Sequence, residues 1–233
     1  MQEYSKKERT TDIACLILFP LGFIILAILA IMGFSEGFFA ETYISSTQIV
    51  SAILVMILPV LRLTKKFRSP YWFMFLVTSV PYLHAVSLFL GFYHSFANWD
   101  FISHTYSSII VGLIVFISLL IIQHYTVRID LGSTATILFF TFIIAWGFGN
   151  IWEITEWIID NAFGNALMSY SVMDTLGDLV ISDLTGAILT DVLAGIILSR
   201  YSITQIVEEM NLDRFMDRIG KKWDKKCGNE SDD

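Results

Sequence analysis

Seven residues could do chemistry, and they fall in three short stretches: Asp100 with His104, Glu153 with Glu156, and Asp174 with Asp178 and Asp183. Pairs spaced by three or four share one face of a helix, so Asp100 with His104, Glu153 with Glu156, and Asp174 with Asp178 can each meet at one point. All three stretches adjoin long apolar runs. An ionisable group in a membrane span costs ~2.5 to 3.5 kcal/mol on insertion scales, which makes it a functional candidate by default. Five or six carboxylates beside one imidazole cannot all be ionised in a low-dielectric pocket unless protons or a cation compensate. Oxygen-rich ligation with a single His favours magnesium, calcium or manganese, is compatible with iron, and argues against a structural zinc site. The expected ligands of such a divalent metal ion are Asp100, His104, Glu153, Glu156 and Asp178, with Asp174 or Asp183 as the catalytic base or as a group behind the ligands.

The elements that must position these groups are membrane helices. The chain has 233 residues, 55% hydrophobic and only 16% charged, and at that apolarity a soluble domain is excluded. About 20 apolar residues cross the ~30 Å hydrocarbon core as a helix. Six such runs are found, approximately Ile13 to Phe34, Gln48 to Leu63, Tyr71 to Phe92, Phe101 to Ile122, Ala135 to Ile158 and Leu176 to Leu198. The expected fold is all-α: a polytopic bundle of six transmembrane helices over residues 1–199, with a basic, amphipathic cytoplasmic tail over 200–233. Pro20, Pro59 and Pro81 lie inside spans, where they would kink a helix without having to break it. The first run follows Lys6, Lys7 and Arg9 but is too long for a secretory signal, and no convincing cleavage site follows it.

Cytoplasmic loops carry the Lys and Arg of a membrane protein. All fifteen fall on one side of this chain: before the first span, between the second and third, at Arg128 between the fourth and fifth, and after the sixth. Both termini are therefore expected in the cytoplasm. The opposite half holds Glu36, Glu41, Asp100, Glu153, Glu156, Asp160, Asp174, Asp178 and Asp183 without one basic residue. In the tail, Ile203, Ile206, Val207 and Met210 recur at helical spacing, followed by Phe215, Ile219 and Trp223 among lysines. This pattern fits an interfacial helix on the inner leaflet, or else a solvated tail. Cys15 and Cys227 are too far apart for a metal motif and are expected as free thiols.

At about 1.5 Å per residue from the outer ends, His104, Glu153 and Asp178 come to one depth and could converge. Asp183 is five residues past Asp178, roughly 140° away on a regular helix, and joins the others only if the backbone adjusts. A π-bulge between Asp178 and Gly186 would do this. The competing reading is that the acids are protonated or hydrated at the headgroup level. Their clustering on three helices without a basic partner argues against it. His84 fits a hydrogen bond to a neighbouring helix better than a place in the site. Trp99, Trp152 and Trp157 are expected interface anchors. Asp191 could pair with Arg128 or His124.

The stretches WDFISH (99–104), GNIWEITEWIID (149–160) and MDTLGDLVISDLTGAIL (173–189) resemble the three signature stretches of the YjdF-like integral membrane proteins, a family of unknown function. The resemblance covers roughly Asp100 to Leu189 and carries over to Asp100, His104, Glu153, Glu156, Asp174 and Asp178. In that family the next polar position and the Gly-Ala pair come about one residue sooner, so Asp183 is not carried over. A fainter likeness to VanZ-like proteins rests on the order Asp/His, Glu, then Asp with a following Gly, and implies the cell envelope.

The expectation is a multi-pass cell-membrane protein whose partners are the lipid bilayer and a lipid or envelope substrate, with no nucleic acid. The leading reading of its function is a metal-dependent hydrolase or transferase working near the outer face. A cation or proton transporter using the same acids is the first alternative, although the inner half is too apolar to offer a convincing route. A non-catalytic envelope or assembly protein, whose acids only pin helices together, is the second.

Overall fold

The computed structural model describes residues 5–35, 41–64, 67–125, 131–163, 172–210 and 212. Among these residues the chain is helical and has no strand. Helix α1 (Lys6–Ile31) starts where Ser5 and Glu8 form a capping box, the Ser5 hydroxyl accepting from the Glu8 N–H and the Glu8 carboxylate from the Ser5 N–H. It continues through Pro20 without a break. Next come α2 (Glu41–Leu54), α3 (Ile57–Leu63), α4 (Tyr71–Phe89), the short α5 (Phe92–Ser95), α6 (Trp99–Tyr125) and α7 (Thr134–Phe163). The last span is composite: α8 (Val172–Gly177), a π-helix (Asp178–Asp183) and α9 (Leu184–Arg200), after which α10 (Ile203–Glu209) follows.

Five helices are long and apolar enough to cross a membrane: Lys6–Ile31, Tyr71–Phe89, Trp99–Tyr125, Thr134–Ile158 and Val172–Arg200. The second expected span is shorter and interrupted, since α2 ends at Leu54 and α3 begins at Ile57. Pro59 is the physical reason. Its ring crowds the carbonyl four residues back, at Val55, and it has no N–H to offer that carbonyl. Here the helix tightens, with the Met56 N–H reaching back only to Ile53.

The helices pack as two groups. In one, α1 lies against α2, α3 and α4; in the other, α6, α7 and α9 pack on one another, and α4 joins the groups through α6. The first group buries Cys15, Phe19, Phe23, Ala52, Val55, Met74 and Ala85 together. In the second, Phe73, Phe116, Leu120, Ile137 and Ala194 share a core with Val207, Met210 and Leu212, so the start of the tail packs beneath the bundle. The later tail residues Phe215, Ile219, Trp223 and Cys227 lie outside the described residues, as does Arg128. Small residues let α6 and α9 approach closely. A Cβ on Gly186 would collide with the Ser108 side chain and come within 3.0 Å of the Thr105 carbonyl, and one on Gly112 would collide with Thr190.

Candidate metal centre

Three helices bring the acids to one end of the bundle. The first turns of α6 supply Asp100 and His104 on one face, and α7 supplies Glu153 and Glu156 from its last third. Asp178 comes from the last span, at the point where that span leaves α-helical geometry. Glu153, Glu156 and Asp178 are buried, with Glu153 only 2% exposed, so these charged side chains face the other helices and not lipid.

Two overlapping groups result, each with one ligand atom per residue and all of those atoms within 4.8 Å of one another: Asp100, His104 and Asp178 form one, and His104, Glu153 and Glu156 the other. His104 belongs to both, its Nε2 lying 3.4 Å from Asp100 Oδ1 and its Nδ1 3.6 Å from Glu153 Oε1. Asp178 Oδ1 accepts a hydrogen bond of 3.0 Å from Ser182. Glu153 Oε1, by contrast, is buried without a hydrogen-bond partner among the described residues. A buried carboxylate oxygen in that condition requires a proton or a cation.

Asp183 sits just below. Residues 178–183 form a π-helix, whose i→i+5 repeat brings Asp178 and Asp183 to the same side instead of the roughly 140° separation of a regular helix. Two features compensate the disturbed ladder: the Trp146 indole N–H donates to the Leu179 carbonyl at 3.1 Å, and the Thr105 hydroxyl to the Ser182 carbonyl at 3.4 Å. The Asp183 carboxylate occupies the space that a side chain on Gly149 would fill. Its Oδ1 accepts from the Ser108 hydroxyl at 2.5 Å, and its Oδ2 is buried without a partner. Asp183 belongs to neither four-to-five-ångström group, and Asp174 also stays outside both.

Two other polar residues have local partners. His84 Nδ1 meets the Tyr93 hydroxyl at 3.0 Å. Thr190 bonds the Gly186 carbonyl of its own helix at 2.9 Å. Asp191 Oδ1 is buried and has no hydrogen-bond partner among the described residues.

One buried constellation escapes the pattern of spans and spacings. At the opposite end of the bundle, Asp12 of α1 is fully buried, and its Oδ1 lies 2.8 Å from Arg62 Nε of α3. The Tyr71 hydroxyl of α4 donates to the same oxygen at 2.9 Å, while the Arg62 guanidinium stacks 4.1 Å from the Tyr71 ring centroid and donates through Nη1 to the Ser69 carbonyl. The only sequence signal was an Asp at the start of one apolar run and an Arg at the end of another, fifty residues apart.

Residues 17–200 match the model of a family described as predicted membrane proteins, DUF2238, the YjdF-like family. The chain belongs to that family. The match spans every residue of the DUF2238 site described above, and its description names a membrane protein without naming a reaction. It lends no support to the VanZ likeness. Neither a curated protein nor a solved structure matches the chain.

Proposed function

We propose that this DUF2238 protein binds a divalent cation at the acid end of its bundle and is a metal-dependent membrane hydrolase or transferase acting on a lipid or envelope substrate. The observation that carries the reading is the unpartnered, buried Glu153 Oε1 within a cluster that has His104 as its one basic group. Magnesium, manganese, calcium or iron would suit the oxygen-rich donors. Such an ion, when bound, polarises a phosphoryl or acyl oxygen or activates a water. His104, Glu153, Glu156, Asp100 and Asp178 would hold and orient it. Asp174, nearer the outer end, or Asp183, one turn beneath Glu153, would serve as base.

Elemental analysis of protein purified in mild detergent tests this. A stoichiometric divalent metal in the wild type, lost on replacing Glu153 and Glu156 together with Gln, is the expected result; no metal, or metal indifferent to both substitutions, would sink the idea. The transporter reading has less support, because inward of Asp183 the buried Thr190 and Thr141 both bond to backbone carbonyls, and Asp191 follows only in the inner half of the last span. Ion flux into proteoliposomes abolished by Glu153→Gln would reverse the ranking.

In the same proposal the protein lies in the cell membrane with both termini in the cytoplasm, so the metal faces outward. Reporter fusions after Leu63, Arg128 and Arg200 should then read cytoplasmic, and those after Glu41, Ser95 and Asn165 external. One inversion among them breaks the topology.

A further inference from the structure

Resting on that reading, we infer that His104 divides the five ligand candidates into two shells. The cation lies between His104 Nδ1, Glu153 and Glu156, and Asp100 is a positioning residue that grips the imidazole from behind through Nε2–H.

The division follows from the shape of imidazole. Its two nitrogens point away from each other, and in the neutral ring one carries a proton while the other offers a lone pair. A single ion can therefore take only one of them. In this protein each nitrogen has its own carboxylate: Asp100 Oδ1 at 3.4 Å from Nε2, and Glu153 Oε1 at 3.6 Å from Nδ1. With an ion on one nitrogen, the acid on that side would share the ion, and the other acid would stand ready to accept the ring N–H.

Burial decides which is which. Glu153 and Glu156 are 2% and 7% exposed, and their ligand atoms lie within 4.8 Å of each other and of His104. Glu153 Oε1 has no hydrogen-bond donor, so the unmet demand for positive charge lies on the Nδ1 side. On the other side, the Asp100 side chain is 29% exposed, and Asp178 already receives the Ser182 hydroxyl. Asp100 then plays the part that a carboxylate commonly plays behind a metal-bound His, fixing the tautomer and raising the basicity of the ligating nitrogen. Three protein ligands would leave an oxygen-preferring ion about three of its six positions for water and substrate. Asp178 groups with Asp100 and His104.

Manganese(II) titration of the detergent-solubilised protein, followed by pulsed EPR for coupling to a coordinated nitrogen, tests the assignment. The wild type should bind one ion per chain with a directly bonded nitrogen signal. Glu156→Gln should lose the ion, with Glu153→Gln as the second variant if the first fails to fold. Asp100→Ala should keep the stoichiometry and the nitrogen signal while affinity falls about 10- to 100-fold. Asp100→Asn, which retains a carbonyl to accept Nε2–H, should recover most of that loss. Abolition of binding by both Asp100 variants, with Glu156→Gln still binding and still showing nitrogen, would place the ion on the outer side and overturn the division while leaving the metal centre itself standing. A wild type that binds no manganese would instead overturn the metal centre, and the division with it.

Discussion

Each end of the bundle buries acidic side chains among helices, and the two ends treat them differently. At the basic end, Asp12 is enclosed by groups of its own chain: a guanidinium 2.8 Å away, a phenol at 2.9 Å, and an aromatic face beneath the guanidinium. At the acid end, Glu153, Glu156, Asp178 and Asp183 are buried with the Ser108 and Ser182 hydroxyls, the Trp152 indole and one imidazole among them. A buried acid whose partner is covalently part of the chain ties helices together, here α1 to α3 and α4. One whose partner is missing leaves a place for a group from outside. Both are carboxylates in apolar helices, so only the inventory of their neighbours separates structure from function.

The largest expected effect lies at the closed end. Arg62→Met strands a buried carboxylate, and breaking such a pair costs about 3 to 5 kcal/mol, which thermal unfolding in detergent should register as a large fall in midpoint. The reverse holds at the open end. Glu153→Gln with Glu156→Gln removes like-charge repulsion, so metal-free stability should hold or rise, while stabilisation by added manganese, about 2.7 kcal/mol at a hundredfold excess over Kd, should vanish. If the double variant unfolds as Arg62→Met does, the two ends are alike and the contrast is lost.

Gly149→Ala sharpens the contrast by probing shape instead of charge. The added methyl meets the Asp183 carboxylate, and overpacking of this kind costs about 1 to 3 kcal/mol. Combining it with Asp183→Ala should recover most of that loss, a coupling that a double-mutant cycle measures directly. The smallest effect is expected from Tyr71→Phe, which removes one hydrogen bond to Asp12 and should cost about 1 kcal/mol by the same unfolding assay.

Much of this was legible in the sequence because the bilayer imposes a length and a composition that five helices display outright. That His104, Glu153 and Asp178 come to one depth could be anticipated from helical rise and topology, since α6 and the last span start, and α7 ends, at the same end of the bundle. The π-helix was legible only conditionally: Asp183 is misplaced on a regular helix, and the chain accommodates it over Asp178–Asp183. The break at Met56 was signalled by Pro59, whose consequence depended on whether neighbours would support the bent helix. The Asp12–Arg62 pair was not legible, because nothing local records that the start of α1 and the end of α3 meet. The two-sidedness of His104 was hidden for the same reason, as ring orientation depends on which helix stands on each side.

The π-helix has a mechanical consequence for the last span. Such a turn is an α-helix carrying one residue too many, and it acts as a vernier between two rulers. Above it, α8 sets where Asp174 and Asp178 point; below it, Gly186, Ala187, Thr190 and Ala194 of α9 remain buried against the bundle. Deleting a single exposed residue such as Val180 would restore a regular ladder without turning one half against the other, because the wide turn already absorbs the roughly 100° of its extra residue. A chain one residue shorter would keep both its fold and the aim of its carboxylates, with Asp178 and Asp183 then four apart on one face.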